Sequence, residues 1–112
     1  MNCTFPKEQR IKRRKEISFI HRTGKRWRCE YFSVAFNENN NRYDRLAVIV
    51  SKKIGSAVFR NRVKRVIREI FRTTDSAGPP FFNILIYPHG IPDFEGKRVR
   101  EHYEKWRGKL KN

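Results

Sequence analysis

Residues 59–72 read FRNRVKRVIREIFR, with six Arg or Lys, one acid and a helical apolar period in the same 14 positions. At about 100° per residue, Phe59, Val63, Val66, Ile67 and Ile70 fall within about 100° of arc. Arg60, Lys64, Arg68 and Arg72 recur every fourth residue along one flank of that stripe. Asn61, Arg65, Arg68 and Arg72 form a neighbouring row, and Arg62 lies further round. The spacing predicts a helix with a dry face that must dock on a core and a wet face of concentrated positive charge. Like charges at i, i+4 repel by roughly a few tenths of a kcal/mol per pair. A polyanion laid along the ridge reverses the sign of that effect.

The rest of the chain carries the same charge. Its 112 residues hold 27 Lys and Arg against 11 Asp and Glu, a formal net charge of +16. A length of this size predicts one domain spanning residues 1–112. Nine Phe, four Tyr and two Trp supply a modest core, more than a disordered basic tail carries. A folded domain so basic points to a polyanionic partner. No apolar run nears the roughly 18 residues of a membrane span, and the start does not resemble a signal peptide. A membrane is therefore not expected as partner. Cys3 and Cys29 stand alone without CxxC spacing, which fits a reducing cytoplasm. His21, His89 and His102 are scattered, so no metal site is expected.

Working outward from the basic helix, Ser56 is its candidate N-cap, and the loop SKKIG before it carries Lys52 and Lys53. Leu46–Val50 is a nearly continuous apolar run, expected as a central strand. NENNNRYD, residues 37–44, is expected as a turn. From Tyr31 to Phe36 the pattern alternates, with Phe32, Val34 and Phe36 on one side. A first helix is expected from Lys12 to Thr23, stopped by Gly24. Lys12, Arg13, Arg14 and Lys15 crowd its first turn, where the helix dipole disfavours cations; an anionic partner relieves that conflict. Residues 1–10 are expected to be an arm. Beyond Arg72, TTDSAGPP ends the basic helix, Phe81–Tyr87 reads as a strand, and a last helix spans Glu95–Lys109 with Val99, Tyr103, Trp106 and Leu110 on one stripe. The fold class is α+β: a single-domain α/β sandwich of order α-β-β(-β)-α-β-α, one sheet with helices packed on it.

No catalytic residues are expected. Glu101 and His102 are adjacent and diverge on a helix, and GKRW lacks the strand and second glycine of a phosphate loop. GxSxG and HExxH do not occur. Binding is the stronger reading. Cations displace counterions from phosphates, and flat side chains stack on unpaired bases. His21, Trp27 and Tyr31 are candidate stacking groups, whereas Tyr103, Trp106, Phe32, Val34 and Phe36 are expected in the core.

At this point the residues resemble a known family. VSKKIGSAVFRNRVKRVIREIFR, residues 50–72, is similar to the signature of the bacterial ribonuclease P protein component, centred on Arg60-Asn61-Arg62 with Lys64-Arg65 and Arg68-Glu69 following. RIKRRKEISFIHRTGKRW, LAVIVSKK and FNILIYP continue the likeness over residues 10–107. The resemblance implies an α/β sandwich with a left-handed βαβ crossover, an exception to the usual hand. It implies a catalytic RNA subunit, Mg²⁺-dependent, that removes the 5′ leader of precursor tRNA. The protein would bind no cofactor itself. Lys52, Lys53, Arg60, Asn61, Arg62, Lys64, Arg65 and Arg68 would bind that RNA. Lys12, Arg13, Ile17, His21, Trp27, Tyr31 and Ala35 would line a cleft for the leader.

The chain departs from the family where Ile17 and His21 replace phenylalanines of the first helix, and where Ala35 replaces a tyrosine. His21 can stack while neutral, or pair with phosphate when protonated. Arg62 and Arg65 are expected to matter more for RNA binding than Arg107 of the last helix. A ribosomal or generic RNA-binding protein shares the charge and differs in partner. A DNA-reading module would want two helices joined by a tight turn, and here strands flank the basic helix. A protein-only nuclease would need catalytic groups the sequence does not offer.

Overall fold

The basic segment folds as a 17-residue helix, α2 (Ala57–Thr73), in a computed structural model that describes residues 7–74, 80–90 and 96–110. The hydroxyl of Ser56 accepts from the Phe59 amide at 3.2 Å, as an N-cap does. Gly55 just before it has φ +154°, and a Cβ there would meet the Phe59 ring at 2.8 Å. Both constraints fix where α2 begins. Along the chain lie α1 (Arg14–Thr23), β1 (Lys25–Arg28), β2 (Phe32–Asn39), β3 (Arg45–Val48), α2, β4 (Phe81–Pro88) and α3 (Gly96–Leu110). The first strand region thus divides in two, and the order matches the expected one.

The sheet runs β1-β2-β4-β3. β2 pairs antiparallel with β1 and with β4, whereas β3 and β4 are parallel neighbours joined through α2. One face carries Phe32, Val34, Phe36, Leu46, Ile84 and Ile86 and packs against Val63, Ile67 and Ile70 of α2 and Val99, Tyr103 and Trp106 of α3. The other face is smaller: Ala35, Ala47 and Leu85 lie under Ile11 and Ile20, with Ile17 at the margin. Burying these stripes supplies about 25 cal/mol for each Å² of apolar surface removed from water.

Several boundaries differ from expectation. Leu46–Val50 is not a central strand: β3 stops at Val48 and lies at the sheet edge. The run is apolar because each face of β3 is covered, Leu46 facing α2 and α3 and Ala47 facing the α1 side. The edge itself is partly closed by the N-terminal segment, where the Ile11 amide donates to the Leu46 carbonyl at 3.0 Å. Residues 7–10 are therefore docked, with a 3-10 turn at Lys7–Gln9; residues 1–6 of the expected arm lie outside the described residues. β2 continues through Asn39, so the turn begins later than residue 37. Asn39 donates to Asn83 at 3.1 Å and Asn83 to Asn37 at 3.2 Å, an amide ladder that draws Asn into a strand.

α1 begins at Arg14, after Lys12 and Arg13. Gly24 ends it with an ordinary φ of −72°. Glycine is needed there for close approach, since a Cβ would sit 2.6 Å from the Ile20 carbonyl and 2.9 Å from that of Phe36. α3 starts at Gly96, and Glu95 lies outside the described residues, as do residues 75–79 of the expected helix stop.

Arg107 is not a surface residue of α3. Only 6% exposed, it donates to Asp44 at 2.7 Å, while the other Asp44 oxygen accepts from the Phe82 amide at 2.8 Å. Its guanidinium carbon lies 5.9 Å from the Phe82 ring centre and 5.8 Å from that of Trp106. The pair ties the β2–β3 turn, β4 and α3 together, so Arg107 cannot serve as a neutral comparison for RNA binding. Removing one partner strands the other charge in the interior. Arg107→Ala is expected to lower unfolding stability in urea by about 3–5 kcal/mol, while Lys105→Ala, exposed on the same helix, stays within about 0.5 kcal/mol.

Candidate nucleic-acid interface

Anchoring Val63, Ile67 and Ile70 in the core sets the rotation of α2, and that rotation turns its cations outward. Asn61, Arg62 and Arg65 are exposed, and Arg60, Lys64 and Arg68 are half-buried. Arg60 is held by its own N-terminus, donating to the Gly55 carbonyl at 2.8 Å. Arg72 pairs with Glu69 three residues back. Among the described residues, Arg62, Lys64, Arg65 and Arg68 have no ion-pair partner. Lys52 and Lys53 are exposed on a 3-10 turn, Lys52–Ile54, immediately before the helix. All eight residues expected to bind RNA therefore lie on α2 or on the turn that leads into it.

Arg68 shows the electrostatic state of that surface. Burial first, and then the charge of Arg10, pushes its guanidinium below the ordinary value. Arg10 is bridged to Leu46 on the β3 edge, so the α2 ridge and the N-terminal segment meet across that edge with like charge on each side. Lys12 and Arg13 follow directly and are exposed. An anion placed along this seam would be attracted by both guanidinium charges.

The opposite sheet face is organised in cross-strand rows, because residues in register share a face. Asn37, Asn83 and Arg45 form one row, then Arg26, Ala35, Leu85 and Ala47, then Arg28, Ser33 and Tyr87. α1 lies over the small middle row. Glu16 near its start accepts from both Arg45 amino groups, at 2.5 and 3.0 Å. At its end the His21 Nδ1 lies 2.7 Å from the Tyr87 hydroxyl, the two rings edge-to-face with centroids 5.6 Å apart. Arg26 donates to the His21 carbonyl. Burial pushes the Tyr87 phenol up, against the opposing charge of Arg26. Ser33 in turn contacts His89 Nε2 at 2.8 Å.

Not all the expected cleft residues meet here. Ile17 and His21 border this face, but Ala35 is fully buried beneath α1 and presents no surface. Trp27 and Tyr31 are on the other side. The Trp27 ring packs against Phe32 and Trp106, and Tyr31 is 4% exposed against His102. Trp27 pairs with Val34 in the ladder and shares its inward face. Residue-type reasoning missed Arg45, Glu16, Tyr87 and Arg10. The signal for Tyr87 was its two-residue spacing from Leu85, which places it on the α1 face beside Ala35.

The family model described as Ribonuclease P matches residues 5–111. The ribonuclease P protein component of Thermotoga maritima is 34% identical over 105 residues, spanning 94% of this chain and 84% of that relative. That of Syntrophus aciditrophicus is 45% identical over 87 residues, spanning 78% and 73%. Among solved structures, the Staphylococcus aureus RNase P protein superposes with a TM-score of 0.77 at 29% identity, covering 87% of this chain and 90% of that one. The Thermotoga maritima RNase P protein gives 0.66 at 35% identity, covering 90% of each.

The Glu16–Arg45 pair holds the start of α1 to β3, and its hydrogen bonds keep the Glu16 carboxyl below its ordinary value of 4.5. A lowered folded-state value stabilises above pH 4.5 and is lost as pH falls through it. Because the pair is partly exposed, Glu16→Gln is expected to cost at most about 1 kcal/mol at pH 7. In urea titrations that gap should close below pH 4.5, the ordinary Glu value.

Proposed function

The chain belongs to the ribonuclease P protein components, subunits of an RNA-based tRNA-processing enzyme, and on that premise we propose how it serves that enzyme. It binds the catalytic RNA through the α2 ridge and holds the 5′ leader of precursor tRNA along the sheet face beside α1. The RNA subunit carries out the Mg²⁺-dependent cleavage. The observation that supports this most is the run of Arg62, Lys64, Arg65 and Arg68, held outward on an anchored helix without a carboxylate partner among the described residues. A helix kept at like-charge cost suits phosphates that are absent until assembly.

The protein's chemical contribution is fixed charge. Counterions leave the RNA when these cations arrive, which raises affinity and lowers the divalent-ion requirement. In this reading Mg²⁺ belongs to the RNA, as the family resemblance implies. For the leader, Tyr87 takes the place of the aromatic surface that Ala35 and Ile17 do not provide, with His21 hydrogen-bonded to it and Lys12 and Arg13 near the other end of α1. The setting in this reading is the reducing cytoplasm that two isolated cysteines without CxxC spacing fit. No helix of the described residues is long and apolar enough to cross a membrane, and burial pushes the lone described thiol, Cys29, up and away from reactivity.

Each desolvated Arg–phosphate contact is worth about 1–3 kcal/mol. Arg62→Ala and Arg65→Ala should each weaken binding to transcribed ribonuclease P RNA by about tenfold or more, with Lys105→Ala within about twofold. The log–log salt slope should become shallower by about 0.7–0.9 for each phosphate contact removed. Equal effects at all three positions would show diffuse attraction without a docking ridge.

A further inference from the structure

Phe19 belongs to neither hydrophobic cluster of the fold. Its side chain is 52% exposed, while Ile20 beside it is 1% exposed. At about 100° per residue, Lys15, Phe19 and Arg22 fall within about 60° of arc, on the side of α1 opposite Ile17 and Ile20. That side turns away from the sheet, and so away from the surface shared by His21 and Tyr87. Lys15 and Arg22 are exposed on either side of the ring. Among the described residues they have no ion-pair partner, and Phe19 makes no ring or cation contact. A ring left in water between two unpaired cations, on a chain of net charge +16, complements a nucleotide: a base to cover the ring and phosphates for the flanking charges.

We propose that the outward face of α1, formed by Lys15, Phe19 and Arg22, is a second RNA contact that stacks one unpaired nucleotide of the assembled enzyme. The site is separate from the α2 ridge and from the sheet face beneath α1. It rests on the reading of the chain as an RNA-binding subunit. Phe19 covers the base and the cations take the neighbouring phosphates. The contact tolerates any base, because every base offers a flat face. The nucleotide belongs to an unpaired segment of the catalytic RNA, because the leader is read on the sheet face that this side of α1 turns away from.

The test uses the full chain with transcribed catalytic RNA, and separately the reconstituted holoenzyme with precursor tRNA carrying a leader. Because the ring is exposed, Phe19→Ala, Phe19→Leu and Phe19→Trp should melt with the wild type. Phe19→Ala and Phe19→Leu should bind about tenfold more weakly. Phe19→Trp should retain affinity, its added indole fluorescence quenched as RNA is titrated. The loss should appear with the catalytic RNA alone; a loss only with precursor would place the nucleotide in the leader and overturn the assignment to the catalytic RNA. Phe19→Leu binding like the wild type overturns stacking. If Arg62→Ala weakens binding while Phe19→Ala changes neither arm, the second contact is wrong and the ridge stands. If the wild type binds neither RNA, both readings fall.

Discussion

The docking of Val63, Ile67 and Ile70 against the sheet and α3 decides the rotation of α2, and the position of every arginine on that helix follows from it. A helix of this length with six like charges is poorly stable alone. It persists because the apolar stripe is buried against Phe32, Val34 and Ile84 of the sheet. The energetic logic is unequal. Burial of large side chains contributes kilocalories, whereas each like-charge pair costs tenths, so the fold can hold a charged ridge in readiness for its partner.

The sheet separates two chemistries. One face is packed with aromatic and branched side chains and carries α2 and α3. The other has a narrow strip of Ala35, Ala47 and Leu85, which lets α1 lie close, with polar rows on both sides of the strip. β3 is where the two meet. On its edge Arg10 comes near enough to lower the Arg68 pKa, so the cationic surfaces of the N-terminal segment and α2 adjoin. The Asp44–Arg107 pair supports this arrangement from beneath, fixing the turn that leads into β3 against α3.

What could be read from the sequence was local and periodic. The 3.6-residue repeat of residues 59–72 gave the rotation of α2, and the Ser56 cap its start. The inward set Phe32, Val34 and Phe36 followed from alternation. What failed depended on partners distant in sequence. Arg107 and Asp44 are 63 residues apart, and His21 and Tyr87 are 66 apart, with no local pattern to announce either contact. β3 read as central because apolar continuity reports cover on both faces, and at this edge α1, α2 and the N-terminal segment give that cover. Trp27 and Tyr31 were misplaced for a different reason. β1 and β2 are separated by residues 29–31, so the side of each depended on strand register, which residue type alone does not set.

Arginine-specific modification followed by mass spectrometry, with and without transcribed ribonuclease P RNA, tests the outward-facing ridge most directly. Arg62 and Arg65 should react readily in the protein alone and be protected when the RNA is added, while Arg42, exposed in the β2–β3 turn, keeps its rate. Protection spread evenly over all three, or slow reaction of Arg62 and Arg65 before any RNA is present, would contradict a cationic ridge held open for a folded RNA.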